Sequence, residues 1–265
     1  MASVAVVRVD GMTAWYIGSC ARVAIGPATG WYSPRMAVIP SMAQRAGRAA
    51  RNERSRRSRR VIAALRAGYP EADCALTHRS AWQLLVATIL SAQCTDERVN
   101  KVTGPLFRRY RTVRSLATAD ATEVEELIRS TGFFRNKARS ICGAAQALVA
   151  DHGGRVPADM DALTALPGVG RKTAHVVRGT WFNLPAITVD THVGRLSRRL
   201  GLTAHTDPVK VEHDLVELWP EGDRTFSSHA MIWHGRRVCG ARKPSCVNCN
   251  MASFCPSAAH FLGQS

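Results

Sequence analysis

The chain has 265 residues, 46% of them apolar, enough to bury one large core or two smaller ones. Thirty-six Lys and Arg against twenty Asp and Glu give a formal net charge of +16, the balance of a protein drawn to a polyanion, most often nucleic acid. No stretch approaches the ~18 apolar residues of a membrane helix. The start, MASVAVVRVDGMTAWYIGSC, is broken by Arg8 and Asp10 and gives no clean signal peptide. These features predict a cytoplasmic, nucleoid-associated monomer with reduced thiols and no membrane partner.

Residues 1–41 show neither a helical nor a strand period and read as disordered, with Met36 and Met42 as alternative starts. The basic arm extends to residue 55. Arg45, Arg48, Arg51, Arg54, Arg56, Arg57, Arg59 and Arg60 crowd its end and the residues just beyond, opposed only by Glu53. SAWQLLVATILSAQ begins at Ser80 with Gln83 three residues on, the pattern of a capping box. Its nearly continuous apolar run, Trp82 to Leu90, predicts a buried helix. DATEVEELI repeats the start signal with Asp120 and Glu123, and KARSICGAAQALVADHGG is a helix stopped by Gly153 and Gly154. DALTAL, RKTAHVVRGTWF, THVGRLSRRLG and PVKVEHDLVEL follow, each ended by Gly, Pro or a polar turn. Sustained alternation is absent, as is any repeat of solenoid period, so the predicted fold class is all-α.

Between the fourth and third last of these helices the chain reads LPGVGRKTAH. Pro167 ends one helix, Gly168-Val169-Gly170 makes a tight turn, and the next helix opens near Arg171. Successive amides in such a turn form an anion-sized nest, reinforced by the positive end of the helix. The guest is a DNA phosphate, or the turn joins two helices and binds nothing. Lys172 falls in the first helical turn, where the dipole disfavours a cation. Arginine neighbours and partial burial act in the same direction, and a lysine that has lost its proton is a nucleophile. Asp190, in ITVDTHVGRL, precedes a helix and reads first as an N-cap, a role that also holds a carboxylate rigidly.

Of eight cysteines, Cys20, Cys74, Cys94 and Cys142 are scattered and read as small core or surface residues. Cys239, Cys246, Cys249 and Cys255 are spaced C-x6-C-x2-C-x5-C. That spacing suits structural zinc or a [4Fe–4S] cluster and does not separate them. Disulfides are not expected in a reducing compartment.

LPGVGRKTA, VDTH and HGRRVC with its three following cysteines together closely resemble the endonuclease III family of bifunctional DNA glycosylases. ATILSAQCTDERVN at 87–100 and TGFFRNKA at 131–138 extend the likeness, which covers roughly 54–256. The resemblance implies a helix–hairpin–helix DNA glycosylase fold, two helical lobes with a DNA-binding cleft between them. One lobe is a six-helix barrel, 76–185, carrying the hairpin. The other joins 56–75 to 186–256 around a [4Fe–4S] cluster held by the four clustered cysteines, and 257–265 is a tail. The implied partner is double-stranded DNA containing damaged pyrimidines or abasic sites. Lys172 then attacks C1′ of an extruded nucleotide, Asp190 stabilises the sugar cation, and β-elimination cuts 3′ to the abasic site. By the same resemblance Gly168, Val169, Gly170 and Arg171 hold phosphate, as do Arg242 and Lys243 of the segment Ala241–Lys243. Gln93 fills the vacated space, and Phe133 wedges the opposite strand. Without the resemblance, Gln93 is a polar helix end and Phe133 a core aromatic.

The alternatives are an adenine-mismatch glycosylase of the same superfamily and a non-catalytic DNA-binding protein with a structural metal site. Enzymes of the first kind generally lack a lysine at the Lys172 position and carry a further domain, whereas ten residues follow Cys255 here. Retention of both Lys172 and Asp190 opposes the second. One position departs from the family: His175 stands where Asn is typical. It is expected to share a face with Lys172 and line the cleft.

Overall fold

The computed structural model describes residues 5–9, 12–16 and 41–263. Strands β1 (Ala5–Val9) and β2 (Met12–Tyr16) pair antiparallel, Ala5 opposite Tyr16 and Val9 opposite Met12. This corrects the reading of 1–41 as lacking regular structure. Two valine-rich or aromatic stretches flank Asp10-Gly11, the residue pair that best marks a hairpin in sequence. The remainder of that reading falls outside the described residues. The hairpin belongs to one unit, Met1–Arg48, and everything from Ala49 onward to a second.

From residue 41 the chain is helical, in keeping with the all-α prediction. Helix α1 (Met42–Gly68) overturns the expectation of a disordered arm to residue 55. Ser41 and Gln44 cap it reciprocally, at 2.8 and 3.2 Å, and its first turns are rich in Ala and Arg, both strong helix formers. Ser58, Val61, Ile62 and Leu65 then bury one stripe. Three of the arm's arginines are engaged within the protein rather than held open for a polyanion. Arg54 meets Asp214 at 3.5 Å and Glu217 at 3.7 Å, Arg57 meets Glu53 at 3.3 Å, and Arg60 lies 4.1 Å over the Phe254 ring.

The following helices are α2 (Ala81–Leu90), α3 (Asp96–Arg109), α4 (Val113–Ala117), α5 (Ala121–Ile128), α6 (Phe134–Asp151), α7 (Met160–Thr164) and α8 (Arg171–Thr180). Their buried faces form one core, including Leu84, Leu85, Leu106, Ile128, Ile141, Leu148 and Val177. Ser80 caps α2, accepting from Gln83 N at 3.2 Å while Gln83 Oε1 accepts from Arg79 N at 2.8 Å. Asp120 caps α5 through the amides of Thr122 and Glu123.

Next come α9 (Thr191–Arg199), α10 (Pro208–Leu218), α11 (Glu221–Arg237) and α12 (Ala258–Leu262). The second half of α1 packs with α9, α10 and α11 around a separate core of Val61, Leu65, Leu196, Leu215, Trp219 and Met231. The chain therefore crosses from one core to the other twice, before α2 and after α8. Lys172 and Asp190 lie on either side of the second crossing.

Candidate active site and metal centre

The α7–α8 connection is a hairpin closed on itself. Asp159 caps α7 at 2.9 Å from Ala162 N, Val169 N donates to Leu166 O at 3.1 Å, and the Val169 side chain is buried in the first core. Gly168 has φ +75°, and a Cβ there would stand 2.5 Å from Ser140 Cβ. Gly170 differs: its φ is −92° and nothing lies within 4 Å of where its Cβ would be. As N-cap of α8 it offers no side chain to the first amides of that helix, which stay open.

The residues read as one phosphate-binding group separate here. Val169 serves as an anchor, its side chain buried and its amide already bonded. Arg171 gives its guanidinium to Glu212 on α10, Nε–Oε2 2.8 Å and Nη2–Oε1 2.6 Å. Lys172 is exposed rather than partly buried and makes no ion pair among the described residues. His175 is buried and does not line the cleft; its Nε2 lies 3.1 Å from Glu212 Oε1. Helix phase explains the correction. Residues four apart share a face, so Arg171 and His175 turn together toward α10. Lys172 and Val176, one step round, turn toward the pocket. Glu212 is itself buried, which by itself raises a carboxyl, but the close His175 ring and the two hydrogen bonds from Arg171 outweigh this and hold it down at about 2.

Lys172 and Asp190 line the same pocket, of about 130 Å³. Asp190 caps α9, its Oδ1 accepting from His192 N and Val193 N, both at 2.8 Å, which leaves Oδ2 outside the cap. The segment before α2 contributes Asp73 and Cys74, the α2–α3 turn Ser91 and Cys94, and α11 His229, Trp233 and Arg236. Arg236 reaches Asp96 of α3 at 2.7 Å and so bridges two elements of the pocket wall. Burial pushes the Cys74 thiol up to about 11, so it stays protonated near neutral pH. Burial likewise lowers His229, whose Nε2 lies 3.3 Å from Thr180 Oγ1.

Gln93 and Phe133 share a feature that sequence did not reveal. Both hold positive φ, +50° and +48°, which costs a non-glycine residue roughly 1–3 kcal/mol. Phe133 is 65% exposed, not a core aromatic. Below it, buried Lys137 donates from Nζ to Thr131 O at 2.9 Å and pins the loop.

Cys239, Cys246, Cys249 and Cys255 surround a single cavity with Arg199 and His234. Arg199 Nη1 is 3.2 Å from Cys239 Sγ and donates to Gly240 O at 2.8 Å, while Cys249 Sγ lies 3.5 Å from His234 Nε2. Among the described residues no three His, Cys, Asp or Glu side chains converge tightly enough for a single ion. Arg242 and Lys243 are exposed on the loop between the first two cysteines.

Sequence reasoning missed Glu212, Cys74, Cys94, His229, Arg236 and Asp96. Arg236, Cys94 and Asp96 lie inside motifs that carry the family resemblance, but nothing in those motifs marks them as site residues. The six come together from five different helices or turns, His229 and Arg236 sharing α11. For Glu212 the one available signal was an acidic residue beside Val211 on the apolar stripe of PVKVEHDLVEL.

Residues 86–221 match the HhH-GPD superfamily base excision DNA repair protein family, which sets the class as a helix–hairpin–helix base excision repair protein. The endonuclease III of Synechocystis sp. is 56% identical over 200 residues, 75% of this chain and 91% of that protein. Two solved structures are each 42% identical. A trapped endonuclease III–DNA covalent intermediate aligns with a TM-score of 0.75, covering 78% of this chain and 98% of its own. A non-covalent endonuclease III–DNA complex aligns at 0.76, covering 79% and 98%. The chain belongs to the endonuclease III family. No helix among the described residues is long and apolar enough to cross a membrane.

Proposed function

We propose that this base excision repair glycosylase and AP lyase uses Lys172 as its nucleophile and Asp190 as the carboxylate facing the reacting sugar, on damaged pyrimidines in duplex DNA. The observation that carries this is the meeting of a lysine and a rigidly capped carboxylate in one pocket at the crossing between two cores. A related endonuclease III trapped in covalent linkage with DNA supports the same chemistry.

The steps follow from these groups. Duplex DNA lies across the junction of the two cores, each the centre of one lobe, and the damaged nucleotide turns out of the stack. The neutral Lys172 amine attacks C1′. The N-glycosidic bond breaks, and the base leaves with the bonding electrons and takes up a proton. Asp190 stabilises the positive charge that builds on the sugar and assists proton transfer. The attacking nitrogen then loses a proton, the C1′–O4′ bond breaks with a proton delivered to O4′, and Lys172 remains linked to the ring-opened sugar at C1′ as a Schiff base. Loss of a C2′ proton then expels the 3′ phosphate and nicks the strand.

The open amides of α8 receive a backbone phosphate, an interaction worth about 0.3–1 kcal/mol from the dipole alone. Gly170 supports this reading, because nothing inside the chain requires glycine there and an external phosphate backbone would. Gln93 and Phe133, exposed and held in strained conformations, insert into the duplex. Arg242 and Lys243 meet phosphates further along.

The four cysteines fit a [4Fe–4S] cluster. Their donor chemistry is all thiolate and they face one common cavity, as the four ligands of such a cluster must. Such a cluster supplies a structural cross-link. Arg199, bonded to Gly240 O and Ala241 O, holds the loop that presents Arg242 and Lys243.

Borohydride reduction of an abasic-site duplex mixed with protein tests the reading. Wild type gives a covalent complex and Lys172→Gln gives none while still binding DNA; full trapping by the variant would refute the assignment.

A further inference from the structure

One buried carboxylate joins the two cores beside the proposed nucleophile. Glu212 lies on α10, whose Val211 and Leu215 belong to the second core. It is 6% exposed and holds Arg171 through two hydrogen bonds, 2.8 and 2.6 Å, with His175 Nε2 at 3.1 Å. Both partners lie on α8, whose Ala174 and Val177 belong to the first core. The attachment is therefore made at two points, one helical turn apart, on one face of α8.

Two points on one face fix the roll of a helix. Lys172 follows Arg171 by about 100° around the axis, so a small rotation of α8 carries its amine across the pocket mouth. The pair stabilises the fold, but because Glu212 is buried while Arg171 remains partly in solvent, it also fixes where the exposed face of α8 begins. Both ring nitrogens of His175 are buried without an aligned hydrogen bond, Nε2 making only a close 3.1 Å contact with Glu212 Oε1, so the imidazole is not placed there to satisfy its own hydrogen bonds.

We infer that Glu212 is a positioning residue for Lys172: through Arg171 and His175 it sets the roll of α8 and the spacing of the two cores. It also withdraws the Arg171 guanidinium from the phosphate path, leaving the α8 amides as the contact. This rests on Lys172 being the nucleophile.

The test uses the full chain with its cysteines loaded as isolated. Three quantities are read for wild type, Glu212→Gln, Arg171→Lys and Lys172→Gln. They are the single-turnover rate of borohydride trapping on an abasic duplex, the affinity for a duplex with an uncleavable tetrahydrofuran site, and the thermal midpoint. A displacement near 1 Å can cost about a hundredfold in rate. Glu212→Gln is therefore expected to slow trapping roughly 10- to 100-fold, with affinity changed by less than about threefold. Arg171→Lys keeps the cation but loses the fork, and is expected to slow trapping about tenfold. It also carries the test if Glu212→Gln fails to fold. A lowered midpoint with wild-type trapping in the folded variants would make Glu212 merely structural and overturn the inference. Loss confined to affinity would overturn it too. Wild-type trapping by Lys172→Gln would refute the nucleophile, and the inference with it, whatever the Glu212 variant does.

Discussion

Gly168 and Gly170 stand two residues apart in one hairpin and are glycine for opposite reasons, so replacing each by alanine should separate folding from binding. At Gly168 the backbone has φ +75°, which costs an alanine about 1–2 kcal/mol. The new Cβ would also meet Ser140 Cβ at 2.5 Å and its Oγ at 2.7 Å, both on the adjoining helix α6. Forcing a methyl into such a contact costs typically 1–3 kcal/mol. Together Gly168→Ala should lose about 2–5 kcal/mol, a large part of the roughly 5–15 kcal/mol that holds a domain together. At Gly170 φ is −92° and the space is empty. Gly170→Ala should change stability by less than about 1 kcal/mol, the N-cap preference being its main cost. Its affinity for an abasic-analogue duplex should fall at least about fivefold, because the methyl occupies the phosphate's approach. Urea unfolding, compared at equal slope, gives the first quantity and fluorescence anisotropy the second. A Gly168→Ala loss below about 1 kcal/mol would refute the steric account. Unchanged DNA affinity in Gly170→Ala would mean that no phosphate reaches the α8 amides.

Phe133→Ala should leave stability within about 0.5 kcal/mol, since the ring is 65% exposed. Excision of a damaged base from duplex should nevertheless slow at least about tenfold; equal excision rates would show that the ring does not enter the helix. Purified protein should contain about four irons and four sulfides per chain, with Cys249→Ser losing most of them, and stoichiometric zinc in anaerobic preparations would contradict this. Acid unfolding follows from Glu212. Its carboxyl is lowered in the fold from an ordinary 4.5 to about 2, so its contribution is present above pH 4.5 and lost as pH falls toward 2. A stability–pH curve for Glu212→Gln should be flatter across that window, and a curve parallel to wild type would show that the carboxylate is not held as described.

Helix starts were legible wherever a cap lies within four residues of the apolar stripe it opens, as at Ser80, Asp120 and Asp190. Lys172 and Asp190 were legible for a related reason. Each sits beside a local signal, a glycine turn or a capped helix, that marks a fixed backbone. The Arg171–Glu212–His175 cluster was not, because it joins residues 41 apart through helix phase, and phase depends on where α8 begins. A shift of one residue in that start turns every side chain by about 100° and would carry Lys172 into the place of Arg171, away from the pocket. The arm misled for a different reason. A run of arginines has the composition of a solvated tail, yet arginine is a good helix former. Only the packing of Ser58, Val61 and Leu65 tells that its second half is held. The β1–β2 hairpin has a local sequence signal in Asp10-Gly11, but strands of five residues are too short to show a sustained alternation.

The central claim is that one amine, Lys172, joins C1′ of the damaged nucleotide. The most direct measurement reduces wild-type protein onto an abasic duplex with borohydride, digests the adduct with trypsin and locates the sugar remnant by tandem mass spectrometry. A modified lysine resists trypsin, so the account predicts a peptide running uncleaved through Lys172 and carrying the remnant on that side chain. A remnant on any other lysine, or on the N-terminal amine, would contradict it.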